Sequence, residues 1–246
     1  LATLDRAAPG DNTVAQGLHW CLCGPDASTA QLGADGHPAR HDSPDSFLPP
    51  VPLPRRMWAS SKVEFFAPLI LGEAVSRTSR IISITEKSGG SGQLVFVDVA
   101  HETAGEAGLA VREVQSIVYR DAAASDAPLS PPVVSDETFD ASGWGSHRML
   151  VPSAPLLFRF SALTFNSHRI HYDFPYAQDT ERYRGLVVHG PLTATLLLDL
   201  ARRELGDNAL ANFAFRGLSP AICGEALHLV MRAQDDTIEL GAFAAD

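Results

Sequence analysis

Ser161 to Leu200 reads SALTFNSHRIHYDFPYAQDTERYRGLVVHGPLTATLLLDL, and the fold turns on how this stretch divides. Near its start lie Asn166, His168, Arg169, His171 and Asp173, five polar residues close together. Gly185 then marks a turn, Leu186 to Val188 has β-type composition, and His189-Gly190-Pro191 follows. From Pro191 to Leu205 the pattern is helical. Proline fits the first turn of a helix, where its missing N–H costs nothing. Leu196, Leu197, Leu198 and Leu200 give an apolar surface wide enough to bury this helix on most sides. Gly206 ends it. Polar side chains ahead of a helix N-terminus suit activation of a carbonyl, because the N–H groups there are unpaired and partially positive.

Downstream of the helix, Asn212 to Leu218, Glu225 to Ala233 and Thr237 to Ala242 alternate as strands. Pro220, Gly224 and Gln234-Asp235-Asp236 mark the turns between them. Upstream, Phe158 to Leu163 is ordered. The preceding stretch, rich in Ala, Ser, Asp and Pro, reads as a linker. Before it come Ser61 to Phe66, Ala74 to Thr85, Gln93 to Glu102 and Val111 to Arg120, a second antiparallel sheet with a flexible turn at Ser88 to Gly92. Residues 1 to about 55 are poorly patterned and rich in Pro and Gly. His37, His41 and Asp42 read there as ordinary loop residues, and Leu1-Ala2-Thr3-Leu4 reads as the middle of something. The division expected is an N-terminal unit over 1–125, a linker over 126–147 and a C-terminal unit over 148–246. The similar element order of the two units suggests a duplication.

A formal net charge of −10 argues against nucleic acid as the main partner. Three cysteines form no even framework, and Cys21-x-Cys23 is too tight for the usual zinc spacing, so a reducing compartment is the natural reading. No apolar run reaches the ~18–20 residues of a membrane span, and no export signal opens the chain. Cytoplasm is the default expectation.

Phe160 to Asp173, followed by Gly185-Leu186-Val187-Val188-His189-Gly190, resembles the hydratase motif of MaoC-like enoyl-thioester hydratases. Pro54-Arg55-Arg56-Met57-Trp58-Ala59 and Gly92 to Val97 resemble the branch that contains mesaconyl-C4-CoA hydratase and the type 2 hydroxyacyl-thioester dehydratases. The resemblance covers most of Pro54 to Ala242. It implies an α+β double hot dog, two antiparallel sheets each wrapped around a helix, with the hydratase motif only in the second. The first unit's helix would lie before Arg55, degraded or partly absent. It also implies a hydro-lyase that adds water reversibly to a 2-enoyl thioester of CoA, without a cofactor. The acyl group would be either a branched dicarboxylate or a plain fatty chain, with acyl carrier protein as an alternative carrier. A homodimer is compatible with it. One departure matters: the family's Asp-x-Asn-Pro-x-His carries a catalytic Asp and His, whereas here Asn166 stands at the Asp position, His168 at the Asn position and Arg169 at the Pro position.

Each candidate carries a role and a plain alternative. His171 matches the family's catalytic His and suits a general base, its ordinary pKa being about 6.5. Asn166 cannot be a base but can hold water or thioester. Asp173 either orients an imidazole, acts as a second acid or base, or merely caps. Gly190 offers an oxyanion N–H or simply a small residue at a turn. Arg55 and Arg56 suit the phosphates of CoA or a solvated surface, and Arg169 suits those phosphates or a substrate carboxylate. Trp58 is core or an adenine platform. His168, Val188 and His189 complete the expected substrate-binding set. Two other classes stay open: a metal site from His168, His171, Asp173 and His189, and a non-catalytic acyl-thioester-binding module, for which the missing Asp is the motive.

Overall fold

The alternation in Gln93 to Glu102 becomes a strand with Val95, Val97 and Val99 turned inward. It belongs to a meander of β1 (Arg55–Phe65), β2 (Ser76–Gly89), β3 (Gly92–Gly105) and β4 (Gly108–Arg120). The computed structural model describes residues 1–246 except 8–9, 42, 44–45, 90–91, 134–138 and 245–246. Asp42, part of the expected linker and the middle of the Ser88 to Gly92 turn lie outside the described residues. After the linker come β5 (Ser146–Leu150), α1 (Ala154–Thr164), α2 (Gly190–Leu205), β6 (Asn212–Arg216), β7 (Leu227–Gln234) and β8 (Thr237–Phe243).

The strands form two antiparallel sheets, ordered β2-β3-β4-β1-β6 and β5-β7-β8. β6 follows α2 in the chain yet pairs with β1, Val63 opposite Phe213. The larger sheet is therefore built from both expected units. β5 begins at Ser146, inside the expected linker. Leu186 to Val188 is not a strand: apart from an isolated bridge between Val187 and Ile222, it runs as coil, with Val187 and Val188 buried.

α2 is the buried element that the leucine pattern predicts. Leu192, Leu196 and Leu200 are almost wholly enclosed, and Gly206 caps it at φ 95°. Its one buried carboxylate, Asp199, accepts from Arg148 of β5 at 3.1 Å and from Arg203 at 2.7 Å. α1 starts at Ser153, whose hydroxyl accepts the Leu156 N–H, and ends on Phe165 at φ 50°. Phe165 is thus bent sharply away from the helix, and this bend launches the histidine loop. Among the described residues, no α-helix stands before Arg55, where a degraded or partly absent one is expected. They hold only short 3-10 turns there, at Ala2–Leu4, Leu18–Cys21 and Thr29–Gln31.

Candidate active site

The loop after α1 is short and tightly bonded. Asn166 Oδ1 accepts the His168 N–H at 2.9 Å, which closes a local turn and commits the amide oxygen. A single 3-10 turn, Arg169–His171, then carries His171 inward. His171 is 7% exposed. Its Nδ1 lies 2.7 Å from the Val187 carbonyl. A carbonyl oxygen only accepts, so Nδ1 carries the proton and Nε2 keeps its lone pair. This is why Leu186 to Val188 is coil: the Val187 carbonyl is turned to the imidazole, while the Val188 N–H donates to Ala221 at 2.8 Å.

Four imidazoles run in a row. The His37 and His168 ring centroids are 4.0 Å apart, His168 and His171 5.5 Å, and His171 and His189 3.5 Å with nearly parallel planes. His189 caps α2, and its Nε2 is 2.8 Å from the Ser161 hydroxyl of α1. Burial, which penalises the charged form, pushes His171 down to about 4 and His189 to about 2. It pushes His168 and His37 down as well. At neutral pH His168, His171 and His189 are held uncharged, whereas at His37 the Asp35 carboxylate works against burial and favours the charged form.

The row borders a cleft that reaches into both halves of the molecule. Asn166, His168, His171, Val188 and Gly190 line it from the second half, and His37, Arg56, Trp58 and Phe96 from the first. Gly190 opens α2 at the cleft wall. A Cβ there would meet the Trp58 ring at 3.8 Å, an ordinary contact, so what the glycine does is leave the helix end uncovered. Trp58 is held by its Nε1–H, which donates to Ser60 O and to the Ser61 hydroxyl, and that hydroxyl bonds to buried Glu113. The indole is both a core residue and a wall of the cleft.

Other expected site residues lie elsewhere. Asp173 is bound by Arg169 through two nitrogens at 2.9 and 2.8 Å and accepts the Tyr176 N–H at 3.1 Å. It caps the next turn, and its carboxyl is held below its usual range by Arg169. Arg169 is committed to Asp173, to the Tyr176 ring and to the Ala34 carbonyl. Neither residue faces the cleft. Arg55 is ion-paired with Glu181, and its guanidinium lies 5.2 Å from the Tyr183 ring centroid, so it is no surface cation. The four residues proposed for a metal are not assembled. Asp173 is spoken for by Arg169, and His171 Nδ1 and His189 Nε2 have other partners. The acid and imidazole groups that do converge are Asp35, His37 and His168, their ligand atoms within 4.8 Å of one another.

His37 and Asp35 are the residues that sequence reasoning passed over. The signal was present in Gly33-Ala34-Asp35-Gly36-His37, a turn sequence with a carboxylate two positions before an imidazole. Nothing in it names a partner 131 residues away.

The hydroxyacyl-thioester dehydratase type 2 family model matches residues 17–223, which takes in the Asp35–His37 turn, β1 to β4, the histidine loop and α2. The chain belongs to this family. It is 44% identical over 228 residues to mesaconyl-C(4)-CoA hydratase of Chloroflexus aurantiacus, covering 93% of this chain and 78% of the relative. The mitochondrial hydroxyacyl-thioester dehydratase type 2 of Schizosaccharomyces pombe is 38% identical over 84 residues, 33% of this chain and 28% of that one. Among solved structures, HtdX of Mycobacterium tuberculosis covers 99% of this chain and 85% of its own at a TM-score of 0.64 and 14% identity. A double-hotdog protein of the same organism covers 79% of this chain and 70% of its own, with a TM-score of 0.50 and 16% identity. At these identities the likeness is one of fold, and the fold is the double hot dog. No helix among the described residues is long and apolar enough to cross a membrane.

Proposed function

We propose that this chain is a hydro-lyase that adds water reversibly across the 2,3 double bond of an enoyl thioester of CoA, with His171 as the general base. The observation that carries this is the tautomer of His171: the Val187 carbonyl claims Nδ1–H and leaves the Nε2 lone pair free beside the open end of α2. A thioester whose oxygen meets that helix end is polarised by first-turn N–H groups with no carbonyl one turn back. Water held by the Asn166 amide N–H₂ and His171 then loses a proton to Nε2 as its oxygen bonds to C3. With a pKa of about 4, the imidazolium that forms is a strong acid in this pocket, and it gives its proton up readily. Asn166 positions and transfers no proton.

The acyl group we assign is a short branched chain bearing a second carboxylate. Identity to the Chloroflexus aurantiacus hydratase supports this. So does Arg56, which lines the cleft beside Asp35, His37 and His168. A guanidinium placed at the reacting end suits a carboxylate of the acyl group better than the phosphates of CoA. Asp173, Arg169 and Arg55 support the walls. A cytoplasmic setting, consistent with three free cysteines, and a homodimer belong to the proposal.

The test is turnover of a panel of enoyl- and 3-hydroxyacyl-CoAs, followed by loss or gain of enoyl-thioester absorbance. Mesaconyl-C4-CoA should be hydrated with the highest kcat/KM, and Arg56→Ala should erase its advantage over crotonyl-CoA. A preference for unbranched chains without a second carboxylate would refute the acyl assignment. No turnover of any member would refute the activity.

A further inference from the structure

Residues 33–37 form a tight turn that belongs to neither sheet and closes an isolated antiparallel bridge between Leu32 and Pro38. The Gly33 N–H donates to the His37 carbonyl at 2.7 Å, and the Gly36 N–H to the Gly33 carbonyl at 2.9 Å. Both oxygens of Asp35 are turned onto His37: Oδ1 accepts its backbone N–H at 3.0 Å and Oδ2 meets Nδ1 at 2.9 Å. The turn is fastened to the histidine loop. The Arg169 N–H donates to the Asp35 carbonyl and Arg169 Nη1 to the Ala34 carbonyl, each at 2.9 Å, and the Ser167 hydroxyl donates to the Gly36 carbonyl. Gly36 sits at φ +86°, and a Cβ there would collide with the Ser167 carbonyl, so only glycine allows the two backbones to touch. These bonds fix the turn without help from the imidazole. The imidazole is instead delivered into the cleft, against His168, with a carboxylate on Nδ1 that leaves Nε2 free.

We propose that His37, oriented by Asp35, is the second acid–base residue of the reaction and takes the place of the carboxylate that Asn166 cannot supply. This rests on the hydration reading above. In the hydration direction, His171 Nε2 accepts a proton from water while the water oxygen bonds to C3. The C2–C3 π pair moves toward C1, and the thioester oxygen becomes an oxyanion at the end of α2. The carbonyl then reforms, and C2 takes the proton carried on His37 Nε2. One proton passes from His171 to His37 through water in the cleft, and both imidazoles return to their starting states. The substrate has gained H and OH, and no oxidant or reductant is needed. Asp35 stays ionised throughout and stabilises the imidazolium of His37 with a full charge, whereas His171 has only the Val187 carbonyl on its Nδ1–H.

The groups facing His37 are Asp35 on its own turn, Arg40 just beyond it, Arg56 from β1, and His168 and His171 from the histidine loop. Only Asp35 favours the charged form. The Arg56 cation also disfavours a metal ion between Asp35, His37 and His168, although their spacing would admit one. Activity should require protonated His37 and so should fall as pH rises. Asp35→Asn removes the stabilising charge, lowers the His37 pKa and should move that fall to lower pH.

The experiment compares wild type, His37→Gln, Asp35→Asn and His171→Ala as full chains, using the panel member that wild type turns over best. His37→Gln should lose about 10²-fold or more in kcat, within the range of positioned acid–base groups, with KM changed only a few-fold. Asp35→Asn should lose less and shift the alkaline limb of kcat/KM downward. Dialysis against a chelator should leave the rate intact. Unchanged kcat and pH profile in His37→Gln, with His171→Ala inactive, would overturn the role of His37 and leave the hydration reading standing. Chelator-sensitive activity restored by zinc would overturn it in favour of a metal. If His37→Gln melts well below wild type, the pH shift in Asp35→Asn decides. An unshifted limb there refutes the proposal.

Discussion

The two halves of this molecule start from one plan and keep different parts of it. The N-terminal half has four long strands, 11 to 14 residues each, and among its described residues no helix longer than a short 3-10 turn. The C-terminal half has four strands of only five to eight residues, but a buried helix of 16. Where the second half packs leucines, the first contributes cleft wall: Arg56, Trp58 and Phe96 face open space. The exchange runs both ways. The second half lends β6 to the first sheet, and the first half lends Asp35 and His37 to the second half's loop. A double hot dog can thus draw both its chemistry and its substrate space from two halves, provided that the joins are specific.

That comparison can be broken, most sharply at the base. His171→Ala should lower kcat by about 10²–10⁴-fold, measured by stopped turnover of the preferred thioester, while the fold survives. Activity within tenfold of wild type would place the chemistry outside the second half. Next in size is the core. Leu192→Ala in α2 should cost about 2–5 kcal/mol in urea unfolding. Val97→Ala in β3, with two methyl groups fewer and no helix to undermine, should cost about 1.5–2 kcal/mol by its lost burial. A larger cost at Val97 would mean that the sheet, not the helix, anchors stability.

Gly36→Ala tests the join itself. A side chain at that φ strains the backbone by about 1–3 kcal/mol, and parting the two loops should displace His37. We expect kcat to fall by up to about 10²-fold with less than a tenfold change in KM. A loss of stability without a loss of rate would leave the join purely structural. The smallest effect belongs to Asn166→Asp. A carboxylate keeps the acceptor that the His168 N–H needs, so activity at neutral pH should be unchanged or raised. It also stabilises a charged imidazole nearby. The wild-type kcat/KM should fail on the acid side as pH drops through about 4, where His171 takes up a proton, and in Asn166→Asp that limb should move to higher pH. A steep loss at neutral pH would show instead that the amide N–H₂ contacts substrate.

Much of the frame was legible because it is local. Valines on alternate positions of β3 and leucines around α2 announce their own burial. α1 was harder to read, since Phe158 and Leu163 are exposed and blur its apolar stripe. Leu186 to Val188 has strand composition but serves as a support for His171, a job that composition does not record. Asp173 and Arg169 stand four apart, which is itself the spacing of a local ion pair. Reading that spacing would have taken both from the site. The pairing of β6 with β1 and the docking of His37 depend on residues far away in the chain, and no window of sequence contains them.

The bond between Ser167 and Gly36 spans 131 residues. On the ribosome, the turn at 33–37 emerges long before the loop it must meet, and it waits exposed while β1 to β5 and α1 are made. Closing so long a loop costs only slightly more entropy than closing a short one, but contacts of such separation form late. The first-made piece of the site is therefore among the last to be installed. A chain that has gained its sheets and its helix is still an incomplete catalyst until that turn has landed.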